Sequence, residues 1–374
     1  MDSSPSQRHR DVPKWKSDSH LTESEESEMN LTTIGLDIAK GVFQVHGVDG
    51  HGKPVLRKQL KRSQVLAYFA NLPACLVGLE ACGGGHYWAR ELVKLGHDAR
   101  LISPQFVKPY VKGNKNDAND AEAICEAVSR PNMRFVPLKG VEQQDIQMLH
   151  RIRSGSVKER TALANRIRGL LGEYGIVVAV GLATLRRQLP EILEDADNNL
   201  TTVARQLFAD LQEQLVEMDK RVNEYGKKIQ TLHEGSEVSR RIAQIPGIGP
   251  ITATALMAAL GDGKAFSSPR QVAAWLGLVP KQCSSGGKPK LLGISKRGDV
   301  YLRTLLIHGA RAVVKTAANK TDSQSRWIND LVKRRNPNIA AVAVANKNAR
   351  IVWVLLTKAE AYMMPKPMRM GVGA

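Results

Sequence analysis

The chain has 374 residues, enough for two or three domains with cores of their own, and Lys+Arg 54 against Asp+Glu 36 give it a net charge of +18. That excess points to polyanionic partners, nucleic acid first, and no isolated basic amphipathic helix at a terminus supports a membrane-surface role. No apolar run approaches the ~20 residues of a membrane-crossing helix, the N-terminus lacks the layout of a secretory signal, and the four cysteines form no CxxC pair, so a reduced cytoplasmic protein is expected.

Residues 1–30 are rich in Ser, Glu and His with almost nothing apolar, the composition of a disordered tail. Residues 31–140 read as a mixed α/β domain. Strands are predicted over Thr33–Asp37, Val42–Val48 and near Pro54–Leu60, then a helix around Ser63–Leu72 and a buried-type strand over Cys75–Glu80. A helix from about His86 to Gly96, a short strand over Ala99–Ile102 and a helix from Asp117 to about Ser129 complete the domain. Three meandering strands followed by alternating helices and strands is the order of a ribonuclease-H-like sheet.

Residues 141–237 read as helix. Leu163, Ile167, Leu170, Leu171 and Tyr174 form one apolar stripe, and Leu211, Leu215, Met218, Val222, Tyr225, Ile229 and Leu232 a sharper one with coiled-coil spacing. A loop around Gly181–Asn199, holding Pro190, separates them. Two uses are open, an intramolecular helical hairpin or an oligomerisation arm. Residues 238–364 form a helical third unit, with helices over Ile251–Leu260, Pro269–Leu276, Val300–Thr316 and around Asn338–Lys358, and a Gly/Ser/Lys-rich loop over Lys281–Arg297. Residues 365–374 read as a flexible tail.

Four carboxylates carry the chemistry. Asp37 ends the apolar run Ile34-Gly35-Leu36, and Glu80 ends Leu76-Val77-Gly78-Leu79. Asp117 and Asp120, three apart on a helix, share one face. Carboxylates at strand ends are costly to bury without a cation or hydrogen bonds, and four together would form a hard oxygen cage for Mg²⁺, with Mn²⁺ as the alternative ion, acting on phosphodiesters. Glu122 turns off the shared face, and Glu91 and Glu126 read as helix-surface charges.

Three further segments suit nucleic acid. Pro246-Gly247-Ile248-Gly249 between helices resembles a helix-hairpin-helix turn, in which Gly247 and Gly249 allow positive φ and close approach of backbone N–H groups to phosphate. The stretch His150, Arg151, Arg153, Lys158, Arg160, Arg166 and Arg168 faces a single acid, Glu159, and is expected to contact phosphates. The loop bearing Lys281, Lys288, Lys290, Lys296 and Arg297 offers a cationic setting for a nucleophilic serine, and on physical grounds Ser284 and Ser285 are equal candidates.

Taken in order, Gly35-Leu36-Asp37-Ile38-Ala39-Lys40, Gly78-Leu79-Glu80-Ala81-Cys82-Gly83-Gly84, Lys115-Asn116-Asp117-Ala118-Asn119-Asp120-Ala121, Ile245-Pro246-Gly247-Ile248-Gly249-Pro250, Trp275-Leu276-Gly277-Leu278-Val279-Pro280 and Ser285-Gly286 resemble the DEDD-type transposases of insertion sequences. These carry a RuvC-like N-terminal domain and a C-terminal serine-bearing transposase domain. The resemblance covers about Leu31 to Met364. It implies a catalytic tetrad of Asp37, Glu80, Asp117 and Asp120, and it selects Ser285, directly before a glycine and shortly after Gly277-Leu278-Val279-Pro280, as the nucleophile. It also implies a structured bridge RNA that pairs with donor and target DNA, and a homo-oligomer, a dimer or tetramer. The rival expectation is a metal-dependent endonuclease resembling a Holliday-junction resolvase, cutting with water and no covalent intermediate. One departure stands in the glutamate motif, where Cys82-Gly83 replaces the threonine or serine many relatives have after the alanine.

Overall fold

The computed structural model describes residues 30–113, 116–358 and 362, and the two tails expected from composition lie outside the described residues, apart from residue 30. The chain divides into two compact units, one ending at Leu138 and one beginning at Lys139.

The first unit is built on a six-stranded sheet. Its strands are β1 (Leu31–Ile38), β2 (Val42–Asp49), β3 (Pro54–Lys61), β4 (Leu76–Glu80), β5 (Asp98–Ile102) and the two-residue β6 (Phe135–Val136), in the spatial order β3-β2-β1-β4-β5-β6. The meander β1–β2–β3 is antiparallel, β4 and β5 run parallel to β1, and β6 closes the edge antiparallel. This mixed sheet is consistent with a ribonuclease-H-like domain; β6 is too short to give a sequence period. Pleating sends Ile34, Leu36, Phe43, Val77 and Leu79 into a core completed by Val65 and Phe69 of helix α1 (Val65–Ala70) and by Trp88 and Leu92 of α2 (Gly85–Lys94). Each such side chain, fully withdrawn from water, contributes roughly 1.5–3 kcal/mol. After the short α3 (Pro104–Val107) comes α4 (Asp117–Val128), whose Ala123, Ile124, Ala127 and Val128 pack with Ile102 and Val107 in a separate cluster.

The second unit begins with α5 (Val141–Gly172), α6 (Leu182–Glu194) and α7 (Thr202–Gly235). Arg160 meets Asp219 at 2.9 Å and Arg153 lies against Gly226, so α5 and α7 run antiparallel as a hairpin within one chain. Leu215, Val222 and Ile229 of the sharper stripe are buried, while Leu232 stands exposed. The loop expected over 181–199 is mostly helix: Leu185 and Leu189, one turn apart, are fully buried, and that packing holds α6 helical through Pro190.

Then follow α8 (Glu237–Ile242), α9 (Pro250–Leu260), α10 (Pro269–Trp275), the hairpin β7 (Pro280–Gln282) and β8 (Leu291–Ile294), α11 (Val300–Ala317), α12 (Ser323–Arg334) and α13 (Pro337–Lys358). α12 has no counterpart in the sequence reading; the Asp322 side chain caps it by accepting from Ser325 N–H at 2.9 Å. α13 is a correction to the expectation from hydropathy, because it is long and apolar enough to cross a membrane by length and composition. Its Ala341, Val344, Ala345, Ala349 and Val352 fill the core of this unit instead.

Candidate active site

The tripeptides Gly35-Leu36-Asp37 and Gly78-Leu79-Glu80 lie side by side. Gly35 pairs with Gly78 and Leu36 with Leu79 across β1 and β4, so Asp37 and Glu80 follow together at the strand ends. Alternation puts each leucine in the core and returns the glycine and the acid to the opposite face. On that face the paired glycines let α4 approach. A Cβ on Gly35 would stand 2.1 Å from the Ala121 carbonyl oxygen, and one on Gly78 would stand 2.7 Å from Val128 Cβ. Asn116 starts the helix, its side chain accepting from Ala118 N–H at 3.1 Å. The first turn of α4 therefore delivers Asp117 and Asp120 to Asp37, and carboxylate oxygens of these three residues lie within 4.8 Å of one another. Glu80 is outside that trio but close enough to act on the charge of Asp37.

Electrostatics mark this cluster off from the other acids of the unit. At an effective dielectric near 20, two unit charges ~5 Å apart repel by about 3 kcal/mol. Burial foremost, then Asp120, Asp117 and Glu80, push the Asp37 carboxyl up to about 6, against one backbone hydrogen bond from Ile38 that favours the anion. Among the described residues, no Lys or Arg forms an ion pair with Asp37, Asp117 or Asp120, in a chain whose net charge is +18. Farther along the same helix, Glu122 meets Arg57 at 3.5 Å and Lys112 at 3.6 Å, and Glu126 meets Lys112 at 3.2 Å and also Arg130. An all-oxygen donor set whose charges are left uncompensated fits a hard divalent cation such as Mg²⁺. Beside the cluster opens a cleft of about 210 Å³ between β2, β3 and α4, lined in part by Gln44, His46, Arg57, Gln59 and Asn119.

In the second unit the serine-bearing loop is largely the β7–β8 hairpin. Gly286 and Gly287, at φ 56° and 75°, make its turn, with Ser285 bridged to Lys288 across it. The two serines separate here. Ser284 Oγ accepts from Gln282 Nε2 at 2.9 Å and from Lys290 N–H at 3.2 Å, tying the hairpin's arms, while Ser285 stands exposed at the tip. Lys281, Lys288 and Lys290 of the hairpin and Lys296 and Arg297 just beyond its second strand are all exposed. Arg303, nearly buried, holds the hairpin's base by donating to the carbonyls of Leu276 and Arg297, each at 3.2 Å.

The glycine turn corrects part of the sequence reading. Gly247 has φ 85°, and a Cβ there would stand 2.8 Å from the Gly309 carbonyl oxygen, so its freedom serves close packing on α11. Gly249 has φ −93° and extended backbone open to any residue, and nothing lies within 4 Å of a Cβ there.

The basic stretch on α5 is divided in the same way. His150 is buried, bonded to Tyr301 Oη at 2.9 Å and Thr254 Oγ1 at 3.0 Å, and burial pushes it down to about 4, so it is neutral. Arg160 is committed to Asp219, which Arg186 also grips, and Arg168 donates to the carbonyls of Ala179 and Gly181. Arg153 is half-buried, leaving Arg151, Lys158 and Arg166 exposed. These contacts join residues 11 to 151 positions apart, so no local charge count could sort them. The glycine pair Gly35 and Gly78 was also missed; its signal was the repeated Gly-Leu-acid tripeptide.

Two family models match this chain, one described as "Transposase IS116/IS110/IS902 family" over residues 239–326 and one of DEDD-type IS110 transposases over residues 34–176. Among curated relatives, a "Probable family 20 transposase" of Pseudomonas aeruginosa is 55% identical over 89% of this chain and 99% of its own length. The "Transposase for insertion sequence element IS1111A" of Coxiella burnetii is 48% identical over 90% of this chain and 92% of its own. The "Transposase for insertion sequence element IS1328" of Yersinia enterocolitica is 41% identical over 88% and 98%. With cover this complete at both ends of the comparison, the chain belongs to the IS110/IS116 family of insertion-sequence transposases, enzymes that cleave and recombine DNA.

Proposed function

We propose that this transposase cuts and rejoins element-end and target DNA under the guidance of a structured bridge RNA, with Ser285 as nucleophile and the cluster Asp37, Asp117, Asp120 and Glu80 as its Mg²⁺ site. The observation that carries the metal site is the trio of carboxylates converging within 4.8 Å without a cationic partner among the described residues. Its donors are hard oxygens, and burial first, then the neighbouring Asp120, Asp117 and Glu80, raise the Asp37 carboxyl, a penalty that a bound cation would relieve. When bound, the ion supplies Lewis-acid polarisation of the scissile phosphate.

The chain's own residues do the rest. Ser285 Oγ attacks phosphorus, the new O–P bond forms, and the bond to a sugar oxygen breaks with that oxygen keeping the electron pair and gaining a proton. The phosphoserine keeps the phosphodiester's energy without a high-energy cofactor. A sugar hydroxyl of the exchanging strand then attacks the same phosphorus and returns a proton to Ser285. Exposed Lys281, Lys288, Lys290, Lys296 and Arg297 balance charge around the serine, and exposed Arg151, Lys158 and Arg166 hold backbone phosphates. Gly249, open to solvent, remains a place where a phosphate approaches backbone. A symmetric oligomer joined along the α5–α7 hairpin is the assembly we favour. RNA guidance rests on the resemblance and the cationic surface. The working compartment is the cytoplasm, at the nucleoid.

Trapping the protein–DNA adduct tests this. Wild type and Ser284→Ala should form a covalent species on element-end DNA and Ser285→Ala should not. Adducts in Ser285→Ala but not in Ser284→Ala would move the nucleophile by one residue. Cleavage with no adduct in any variant would favour the resolvase-like endonuclease.

A further inference from the structure

A second cleft opens at the end of the sheet where Asp37 and Glu80 stand. It lies among the turn that joins β1 to β2, the end of β3 and the first turn of α2, has a volume of about 760 Å³, and is lined in part by Gly41, Lys61, Arg62, Ser63, Tyr87 and Trp88. That size accommodates a nucleotide with room to spare. Arg62 is held in two ways: its backbone N–H donates to the Gly41 carbonyl at 2.9 Å, and its guanidinium sits 5.1 Å from the Trp88 ring and 5.9 Å from the Phe43 ring. Stacking on ring faces fixes the guanidinium plane and leaves its N–H edges to a ligand. Lys61 and Ser63 are exposed beside it, and neither Lys61 nor Arg62 has a carboxylate partner among the described residues. Tyr87 packs edge-on against Trp88 at 5.2 Å, yet it is 42% exposed, and it is the aromatic among the large apolar side chains left exposed in the described residues.

Two unpaired cations, a hydroxyl and an aromatic face held by a buried tryptophan match one chemistry, a phosphate with an unstacked base attached. We propose that this cleft binds a nucleotide of a single strand next to the scissile phosphate, its phosphate between Lys61, Arg62 and Ser63 and its base stacked on Tyr87. The inference rests on the reading that the scissile phosphate sits at the Asp37 end of the sheet. A base inside a duplex is stacked on both faces, so the cleft selects a strand already opened. Either DNA or RNA presents this chemistry.

Binding of fluorescein-labelled single-stranded DNA, single-stranded RNA and duplex DNA, measured by anisotropy in EDTA, tests the proposal on the full chain. Tyr87→Ala should weaken binding of a single strand by about tenfold, Tyr87→Phe should restore it, and duplex affinity should change by less than about twofold. Lys61→Gln should reduce the dependence of log K on log salt by about 0.7 for a single strand. With 5-iodouracil in each strand, photocrosslinking to Tyr87 in the DNA or the RNA arm identifies the occupant, and it carries the test together with Lys61→Gln if Tyr87→Ala fails to fold. Wild-type binding and salt slope in both folded variants, equal losses for single strand and duplex, or no crosslink in either arm would overturn the cleft. Asp37→Asn assayed for cleavage keeps the two readings apart. A dead Asp37→Asn with unchanged binding by Tyr87→Ala sinks the cleft alone. A fully active Asp37→Asn with weakened binding by Tyr87→Ala sinks the carboxylate reading and leaves the cleft standing as a strand-binding site.

Discussion

One helix carries two sets of acids with opposite surroundings. In the first turn of α4, Asp117 and Asp120 converge on Asp37 with no cationic partner among the described residues. Farther along, Glu122 and Glu126 are shared among Arg57, Lys112 and Arg130. On this one helix the acids farther along have cationic partners, while the first-turn acids have none among the described residues, which fits the proposed cation site. Position on the helix face separates the two sets. Asp117 and Asp120 look toward the strand ends, and Glu122 turns toward β3 and the segment before α4.

The sharpest way to break the comparison is to remove charge on one side of it. Asp37→Asn or Asp120→Asn should lower recombination at least about a thousandfold, with the fold intact, since a neutral amide keeps the shape but loses the donor charge. The same change should raise the melting temperature of the metal-free protein by relieving repulsion. Asp37 titrates near 6 when folded and near 3.8 otherwise, so the folded state binds the extra proton between those values. The Asp37 contribution to the stability of the metal-free protein is therefore greatest at the acid side of that window and falls as pH rises through it, while buried His150 contributes with the opposite sign, so Asp37→Asn should gain stability relative to wild type as pH rises. A wild-type melting temperature that rises relative to that of Asp37→Asn through this window would contradict the assignment.

Next in size is the support beneath the cluster. Gly35→Ala forces a methyl into the backbone of α4 and should cost roughly 1–3 kcal/mol while reducing activity without altering any carboxylate. Unchanged denaturation and activity would mean that α4 has room to move. Gly247→Ala should destabilise by a similar margin because φ is positive and α11 is in contact, whereas Gly249→Ala should leave stability within about 0.5 kcal/mol. If Gly249→Ala instead unfolds the protein, the turn is structural at both glycines. The smallest effect belongs to the paired acids: Glu122→Gln should shift stability by less than about 1 kcal/mol and recombination by no more than about twofold.

The sheet and α4 were legible because their periods are local. Apolar alternation outlined the strands from β1 to β5, and three-residue spacing put Asp117 and Asp120 on one face. Of the four acids expected as a tetrad, three lie tightly grouped and Glu80 lies near enough to act on Asp37. What escaped depended on contacts distant in sequence. Pro190 suggested a loop, but buried Leu185 and Leu189 keep α6 helical. His150 and Arg160 counted as phosphate-binding cations until Thr254, Tyr301 and Asp219 claimed them. Gly249 carried the same letter as Gly247 in one short motif, yet only Gly247 needs the left-handed region, which composition does not reveal. Ser284 and Ser285 were equivalent by chemistry until the hairpin used one hydroxyl to tie its arms.

The central claim is that Asp37, Asp117 and Asp120 form a cation site and that Glu122 and Glu126 do not. Mn²⁺ binding followed by electron paramagnetic resonance on the full-length protein, without nucleic acid, tests it directly. The account predicts that saturable binding in wild type persists in a Glu122→Gln/Glu126→Gln double variant and disappears in Asp37→Asn/Asp120→Asn. Undiminished binding in the aspartate variant, or its loss only in the glutamate variant, would contradict it.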